Sequence, residues 1–336
     1  MASASGSSSE LSLQGIMEMA SGFQASRVLL SAIELGLFGQ LAAGPQTSAE
    51  VARALSADPR GTDRLMNALT ALGLLLKTEG RFANGPAAAA HLVPGGSGLA
   101  EGLKHWVHLW ESWGSLTEAV RRGGAVPRPP VGEREAAWIE AFIAAMHWRA
   151  VQHAPIVMGM LELAGVRSVL DVGGGSGGYA MAFVRAQPGL RATLFDLPAV
   201  LPLTARYVTA AGLTDAVALR AGDYLTDPLG EGFDLVFLSA ILHSNTPEEN
   251  AALLTKGAAS LVPGGRLVVQ EFVPDEERTA PLFPVLFALN MLVGTPGGDA
   301  YTESEIRGWM AGAGIGGVER RDTPFGTSLL TGRRGN

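Results

Sequence analysis

From Val169 to Gly178 the chain reads Val-Leu-Asp-Val-Gly-Gly-Gly-Ser-Gly-Gly, and no other stretch restricts its fold so tightly. Residues 168–172 are short, apolar and β-branched, which predicts a parallel strand covered on both faces. Gly173, Gly175 and Gly178 then fit G-x-G-x-x-G, the turn in which missing side chains let the backbone approach a ligand at the start of the next helix. A strand, a glycine turn and a helix in that order call for an α/β fold. On its own the turn suits a dinucleotide equally well.

Asp171 narrows the choice, because it makes the run D-x-G-x-G-x-G with Gly173, Gly175 and Gly177. An acid at a strand's carboxyl end repels a pyrophosphate and attracts a ligand carrying an ammonium and a sulfonium. S-adenosylmethionine is such a ligand. Asp196 ends the next apolar strand, 192–195, at the spacing where an acid meets ribose hydroxyls, and Asp223 follows 217–219 on the adenine side. Singly, each acid reads as well as a solvated loop residue or a helix cap. Three at successive strand ends read as one site.

The chain has 336 residues, enough for two domains, and 47% of them are apolar. It has no cysteine, hence no disulfide and no Cys-ligated metal, and the spacing of His91, His105, His108, His147 and His153 with carboxylates suggests no metal site. A net charge of -7 speaks against a broad nucleic-acid surface. Residues 1–10 are small and polar, which predicts disorder and lacks the pattern of a signal peptide. The apolar stretch 282–293 carries Pro284 and Asn290 and is too short to span a bilayer. The expectation is a cytoplasmic protein with no membrane partner.

Three segments follow: a disordered 1–10, a mostly helical region over 11–125, and an S-adenosylmethionine-binding domain over 126–336. In the first region a helix is expected over 22–37, another opens at Thr47-Ser48-Ala49-Glu50, and a third starts at Asp58-Pro59. A hairpin over 74–83 completes a winged-helix pattern. That pattern serves DNA readers and dimerisation platforms alike. With only Arg60 and Arg64 as cations beside Asp63 on its second helix, it favours the platform. Two aromatic helical stretches follow, 100–122 with Trp113, and 136–163 with Phe142, Met146 and His147. Ahead of the glycine turn they cap its ligand or hold an apolar substrate, with His147 expected to face that substrate. The competing reading makes them ordinary core. Beyond Gly178, strands at 233–238 and 266–271 alternate with helices, a capped helix spans 301–313, and 317–321 with 328–331 close as a hairpin.

The strand at 233–238 runs on to His243, an imidazole at the sheet edge where open α/β folds bind ligands. Methyl transfer to a hydroxyl requires that the oxygen lose its proton, and a neutral imidazole accepts one. Glu271 ends the neighbouring strand, in position to hold the second ring nitrogen.

These residues match a family pattern. The chain resembles the class I S-adenosylmethionine-dependent O-methyltransferases of the caffeate, isoflavone and acetylserotonin type and their bacterial natural-product relatives. The likeness runs from Leu170-Asp171-Val172-Gly173-Gly174-Gly175 through Phe195-Asp196-Leu197-Pro198 and Gly222-Asp223-Tyr224 to Ile241-Leu242-His243. It implies a Rossmann-like catalytic domain behind a winged-helix-like domain that makes a homodimer. It also implies a small-molecule acceptor lined by Trp113, Phe142, Met146, Asn290, Met291 and Thr295. Three positions depart from the family. Ser239 stands where a Lys is common near the adenine, Ser244-Asn245 replaces Asp-Trp after the base, and Ala300 occupies the place of a second acid, with Asp299 beside it. The reading is O-methylation of a small aromatic or polyketide-like metabolite. Carbon methylation of an enolisable keto acid, a ligand-sensing winged-helix regulator and a nicotinamide oxidoreductase are the alternatives.

Overall fold

The computed structural model describes residues 11–127, 129 and 131–335, so the reading of 1–10 lies outside the described residues. The chain divides into two compact units at Val107/His108.

The first unit runs through α1 (Leu13–Ser21), α2 (Phe23–Glu34), α3 (Leu37–Gln40), β1 (Gln46–Thr47), α4 (Ser48–Ala54), α5 (Pro59–Ala71), β2 (Leu75–Thr78), β3 (Arg81–Asn84) and α6 (Pro86–His91). Helix starts follow side-chain chemistry. Thr47 and Glu50 form a reciprocal capping box, and Asp58 caps α5 with Pro59 in its first turn. The helix expected over 22–37 ends at Glu34 and restarts at Leu37, because Gly36 adopts a left-handed conformation between them. The expected hairpin, β2 with β3, is joined by β1 into a three-stranded antiparallel sheet. Ile33, Leu37, Phe38, Val51, Met66, Leu69 and Phe82 form the core. By contrast α1 buries no residue and leaves Leu13, Ile16, Met17 and Met19 exposed, with Phe23 after it.

Helix α7 (Leu99–Gly114) spans the division between the units, and α8 (Leu116–Arg122) and α9 (Ala136–Met160) follow it. The helices up to residue 125 were expected to belong with the first unit. Instead α8 lies in the second unit, where it packs on α13 (Leu282–Gly294).

The second unit then alternates β4 (Ser168–Val172), α10 (Gly178–Ala186), β5 (Arg191–Asp196), α11 (Leu201–Ala210), β6 (Val217–Ala221), β7 (Phe233–Ser239), α12 (Pro247–Ser260) and β8 (Leu261–Glu271). After α13 come α14 (Glu303–Gly312), β9 (Ile315–Asp322) and β10 (Ser328–Arg334). The seven-stranded sheet has the order β6-β5-β4-β7-β8-β10-β9, parallel through β8 and antiparallel in its last two strands. Strand periodicity divides its side chains between two cores. Leu170, Val172, Val236, Leu238, Leu267 and Val269 face one side, whereas Val169, Leu235, Phe237 and Val268 face the other. Strand order reverses at β4, with β5 on one side and β7 on the other, so a crevice opens at their carboxyl ends. No single helix among the described residues is long and apolar enough to cross a membrane.

Candidate active site

Immediately after β4 the chain turns through Gly173, whose φ of +65° favours glycine and whose N–H donates to the Phe195 carbonyl at 2.8 Å. A Cβ there would lie 2.3 Å from Ile241 Cδ1. Gly178 starts α10 where a Cβ would come within 2.5 Å of that of Ala150, so the missing side chain is what lets α9 and α10 touch. Gly175 donates its N–H to Asp196 Oδ2 at 2.7 Å, and Leu197 donates to Asp196 Oδ1 at 2.7 Å. The strand-end acid therefore clasps the glycine loop.

Asp171 departs from expectation. It shares a face of β4 with Val169, the face that α10 covers, so it is 1% exposed and its Oδ2 accepts from Ala180 N–H at 3.1 Å. Its carboxylate braces the loop from beneath and does not open onto the crevice. Burial pushes its pKa up to about 7, outweighing the Ala180 hydrogen bond, with the charge of Asp196 adding to the rise. Burial likewise pushes Asp196 up to about 6 against its two backbone bonds. Two acids short of counter-charge around a bare glycine loop fit a cationic ligand, as S-adenosylmethionine is.

Farther along the sheet edge, Gly222 donates its N–H to the Asp196 carbonyl at 3.0 Å, and Asp223 Oδ1 accepts from Leu225 N–H at 2.8 Å. Tyr224, its ring beside Gly173, donates its hydroxyl to Asn245 Oδ1 at 3.0 Å. Ser239 donates to Gln270 Oε1 at 3.2 Å and is held within the strand ends.

His243 sits in a single 3-10 turn, Leu242–Ser244, beyond β7. Its Nδ1 lies 2.9 Å from Glu271 Oε2, and its backbone N–H donates to Glu271 Oε1 at 3.3 Å. Glu271 is 4% exposed. Because a carboxylate only accepts, Nδ1 carries the proton and Nε2 holds the lone pair. Among the described residues Nε2 makes no hydrogen bond. Phe287 stands edge-on to the imidazole with ring centroids 4.8 Å apart and touches Phe272 in turn. Asn245, which follows the turn, accepts from Tyr301 through its carbonyl and from Tyr224 through its side chain, and donates to Asn250 at 3.1 Å. Its hydrogen bonds anchor the His243 turn.

The expected acceptor residues separate into two groups. Trp113 Nε1 donates to Asn290 Oδ1 at 2.9 Å, tying the end of α7 to α13, where Met291 is buried. Thr295 donates to the Met291 carbonyl at 2.8 Å and accepts from Gly298 at 2.9 Å, so its hydroxyl is spent on the turn. Phe142, however, stacks on Trp138 and packs in one cluster with Leu197, on the Asp196 side of the crevice. His147 also goes there, contrary to its expected place facing a substrate. Its Nδ1 lies 2.9 Å from Ser176 Oγ and its ring stacks on Tyr207 at 3.9 Å, because its position on α9 points it at the glycine loop. Burial holds its pKa below the ordinary value. Met146 is half-buried. Asp299 does not stand in for a second acid. It pairs with Arg278 at 3.1 Å and accepts from its own Ala300 N–H, which leaves Glu271 as the acid bonded to His243.

The sequence reading missed Phe272 and Phe287, because an aromatic in an apolar run carries no mark of the face it will present. It also missed Arg149, though a signal was there: only Glu140 and Arg149 are charged in the 25 residues of α9.

A family model described as the O-methyltransferase domain matches residues 131–316, and one described as the O-methyltransferase dimerisation domain matches 17–94. The chain is 34% identical to the 3-hydroxy-5-methyl-1-naphthoate 3-O-methyltransferase of Streptomyces sahachiroi, over 94% of each. It is 33% identical to the tetracenomycin polyketide synthesis 8-O-methyl transferase TcmO of Streptomyces glaucescens, over 95% of this chain and 96% of that protein. Human N-acetylserotonin methyltransferase, solved in complex with SAM, superposes with a TM-score of 0.87 at 27% identity, over 98% of this chain and 100% of that one. The crevice and its glycine loop thus belong to a chain that is a member of the O-methyltransferase family, an S-adenosylmethionine-dependent enzyme with its own dimerisation domain.

Proposed function

We propose that this enzyme methylates a hydroxyl of a small aromatic, polyketide-like acceptor, with His243 as general base and Glu271 as its orienting acid. The observation that carries the reading is the 2.9 Å bond from His243 Nδ1 to Glu271, which leaves Nε2 as the acceptor nitrogen at the sheet edge. Acceptors of this type are named for the Streptomyces relatives, and an aromatic body suits the Phe272 and Phe287 rings beside the imidazole.

Gly173, Gly175, Asp196 and Leu197 hold the donor at its methionine and ribose end, and Gly222, Asp223 and Tyr224 hold it on the adenine side, with Ser239 nearby. Asp171 acts on the donor through the loop it supports. Bound there, S-adenosylmethionine supplies an electrophilic methyl on a sulfonium. His243 Nε2 would take the acceptor's hydroxyl proton as the oxygen bonds to that carbon and the carbon–sulfur bond breaks, with S-adenosylhomocysteine as the leaving group, and Glu271 would stabilise the imidazolium that results. Trp113, Asn290 and Met291 line the acceptor's side. The exposed apolar residues of α1 and Phe23 favour a homodimer built through the N-terminal unit, and dependence on an intracellular donor favours a cytoplasmic setting.

The test is a labelled-methyl assay with a phenolic acceptor at neutral pH. His243→Ala is expected to cut kcat by about 10²-fold or more and to leave S-adenosylhomocysteine affinity within about 3-fold. Near-normal turnover in that variant would remove His243 from the mechanism.

A further inference from the structure

One cation near the His243–Glu271 pair has no assigned work. The guanidinium of Arg149 on α9 lies 4.8 Å over the ring of Phe272, and among the described residues Arg149 makes no hydrogen bond or ion pair. Arginine stays charged under all ordinary conditions, so a half-buried one with five unused donors is costly unless a counter-charge completes it. Burial already pulls its pKa below the ordinary value. The carboxylate whose charge bears on it, Glu271, is committed to the imidazole. His153, one turn further along α9, is held down to about 4 by burial and by the charge of Arg149, so it is neutral and adds no second cation.

What surrounds Arg149 indicates the missing partner. Phe272 contacts Phe283 and Phe287, each with ring centroids at 4.8 Å, and Phe287 stands edge-on to His243. A wall of aromatic rings therefore runs from the unpaired cation to the general base. A flat acceptor lying on that wall presents one end to Arg149 and the other to Nε2.

We propose that Arg149 recognises a carboxylate on the acceptor, so that the preferred substrates are hydroxylated aromatic acids held by a forked ion pair at one end and deprotonated by His243 at the other. This rests on the O-methyltransferase mechanism above. The donor's own α-carboxylate is the second possible source of the anion. The acceptor is favoured because the guanidinium lies over Phe272, whose neighbour Phe287 stands edge-on to His243.

Calorimetry on the S-adenosylhomocysteine-loaded enzyme separates these sources without any need for turnover. A hydroxynaphthoate is expected to bind about 10- to 100-fold more tightly than the naphthol of the same ring. Arg149→Met should erase that preference by weakening the naphthoate alone, leaving naphthol binding, thermal stability and S-adenosylhomocysteine affinity within about 2-fold or a few degrees. Arg149→Lys should restore part of it, since lysine keeps the charge and loses the fork. Equal binding of the two probes to the wild type, or binding of neither, overturns the proposal. So does a large loss of S-adenosylhomocysteine affinity in Arg149→Met, which would assign the cation to the donor. If the naphthoate binds with its preference intact and no methylated product forms, the catalytic reading fails and the anion site stands.

Discussion

The proposed donor and acceptor ends of the crevice are built in different ways. The donor end comes from short continuous segments at the tips of β4, β5 and β6, and its acids are held by backbone N–H groups of Ala180, Gly175, Leu197 and Leu225. The acceptor end joins side chains from distant segments: Trp113 and Asn290 bond across 177 positions, and His243 meets Glu271 across 28. Backbone groups are the same whatever the residue, so the donor end tolerates change outside a few glycines and acids. The acceptor end depends on the identity of each side chain. One fold can therefore keep its donor while its acceptors diverge.

Three measurements bear on that contrast. The largest effect is expected from Asp196→Asn, which removes the charge that clasps Gly175. S-adenosylhomocysteine affinity should fall by about 10- to 100-fold in calorimetry while acceptor affinity changes little. Comparable losses at both ends would show that the two ends are not separable.

A pH effect of intermediate size should belong to the donor end alone. The carboxyls of Asp171 and Asp196 sit above their ordinary value of 3.8, at about 7 and about 6. Between pH 3.8 and about 7 the folded, ligand-free protein thus keeps protons that the unfolded chain has lost, so these groups make its stability fall as pH rises through that window. A cationic donor favours the ionised forms. Its affinity should therefore rise from pH 5.5 towards 8 with proton release, detected by calorimetry in buffers of different ionisation enthalpy, and Asp171→Asn should remove the upper part of the rise. A pH-independent affinity would contradict this account.

The smallest effect concerns the acceptor end. Trp113→Phe removes one hydrogen bond to Asn290, a loss of about 1 kcal/mol, and should raise acceptor KM about 5-fold with donor affinity unchanged. An unchanged KM would take the link between α7 and α13 out of acceptor binding.

The glycine turn and the acids at the strand ends were legible in the sequence because each is a local signal. The run 169–178 states a strand, an acid and a turn in chain order, and Asp196 and Asp223 fall at the next two strand ends. His243 and Glu271 were legible for a related reason. Neighbouring parallel strands put their carboxyl ends side by side, so two strand-end residues meet without any knowledge of the helices. Asp171 was located correctly and given the wrong direction, since which face of β4 lies under α10 depends on how that helix packs.

Helices gave less away. The stretch that became α9 marked His147, Phe142 and Met146 as one lining, yet a long helix touches different neighbours on different faces, and the first two packed against Ser176 of the glycine loop and the Leu197 cluster. Arg149, on the same helix, lies over Phe272 near the imidazole. Strand ends, glycines and caps were settled along the chain, because backbone sterics and hydrogen bonding act between residues close in sequence. Which side chains surround the acceptor was settled by packing, because burial of apolar surface has no direction of its own and is decided only when α7, α9 and α13 come together on the sheet.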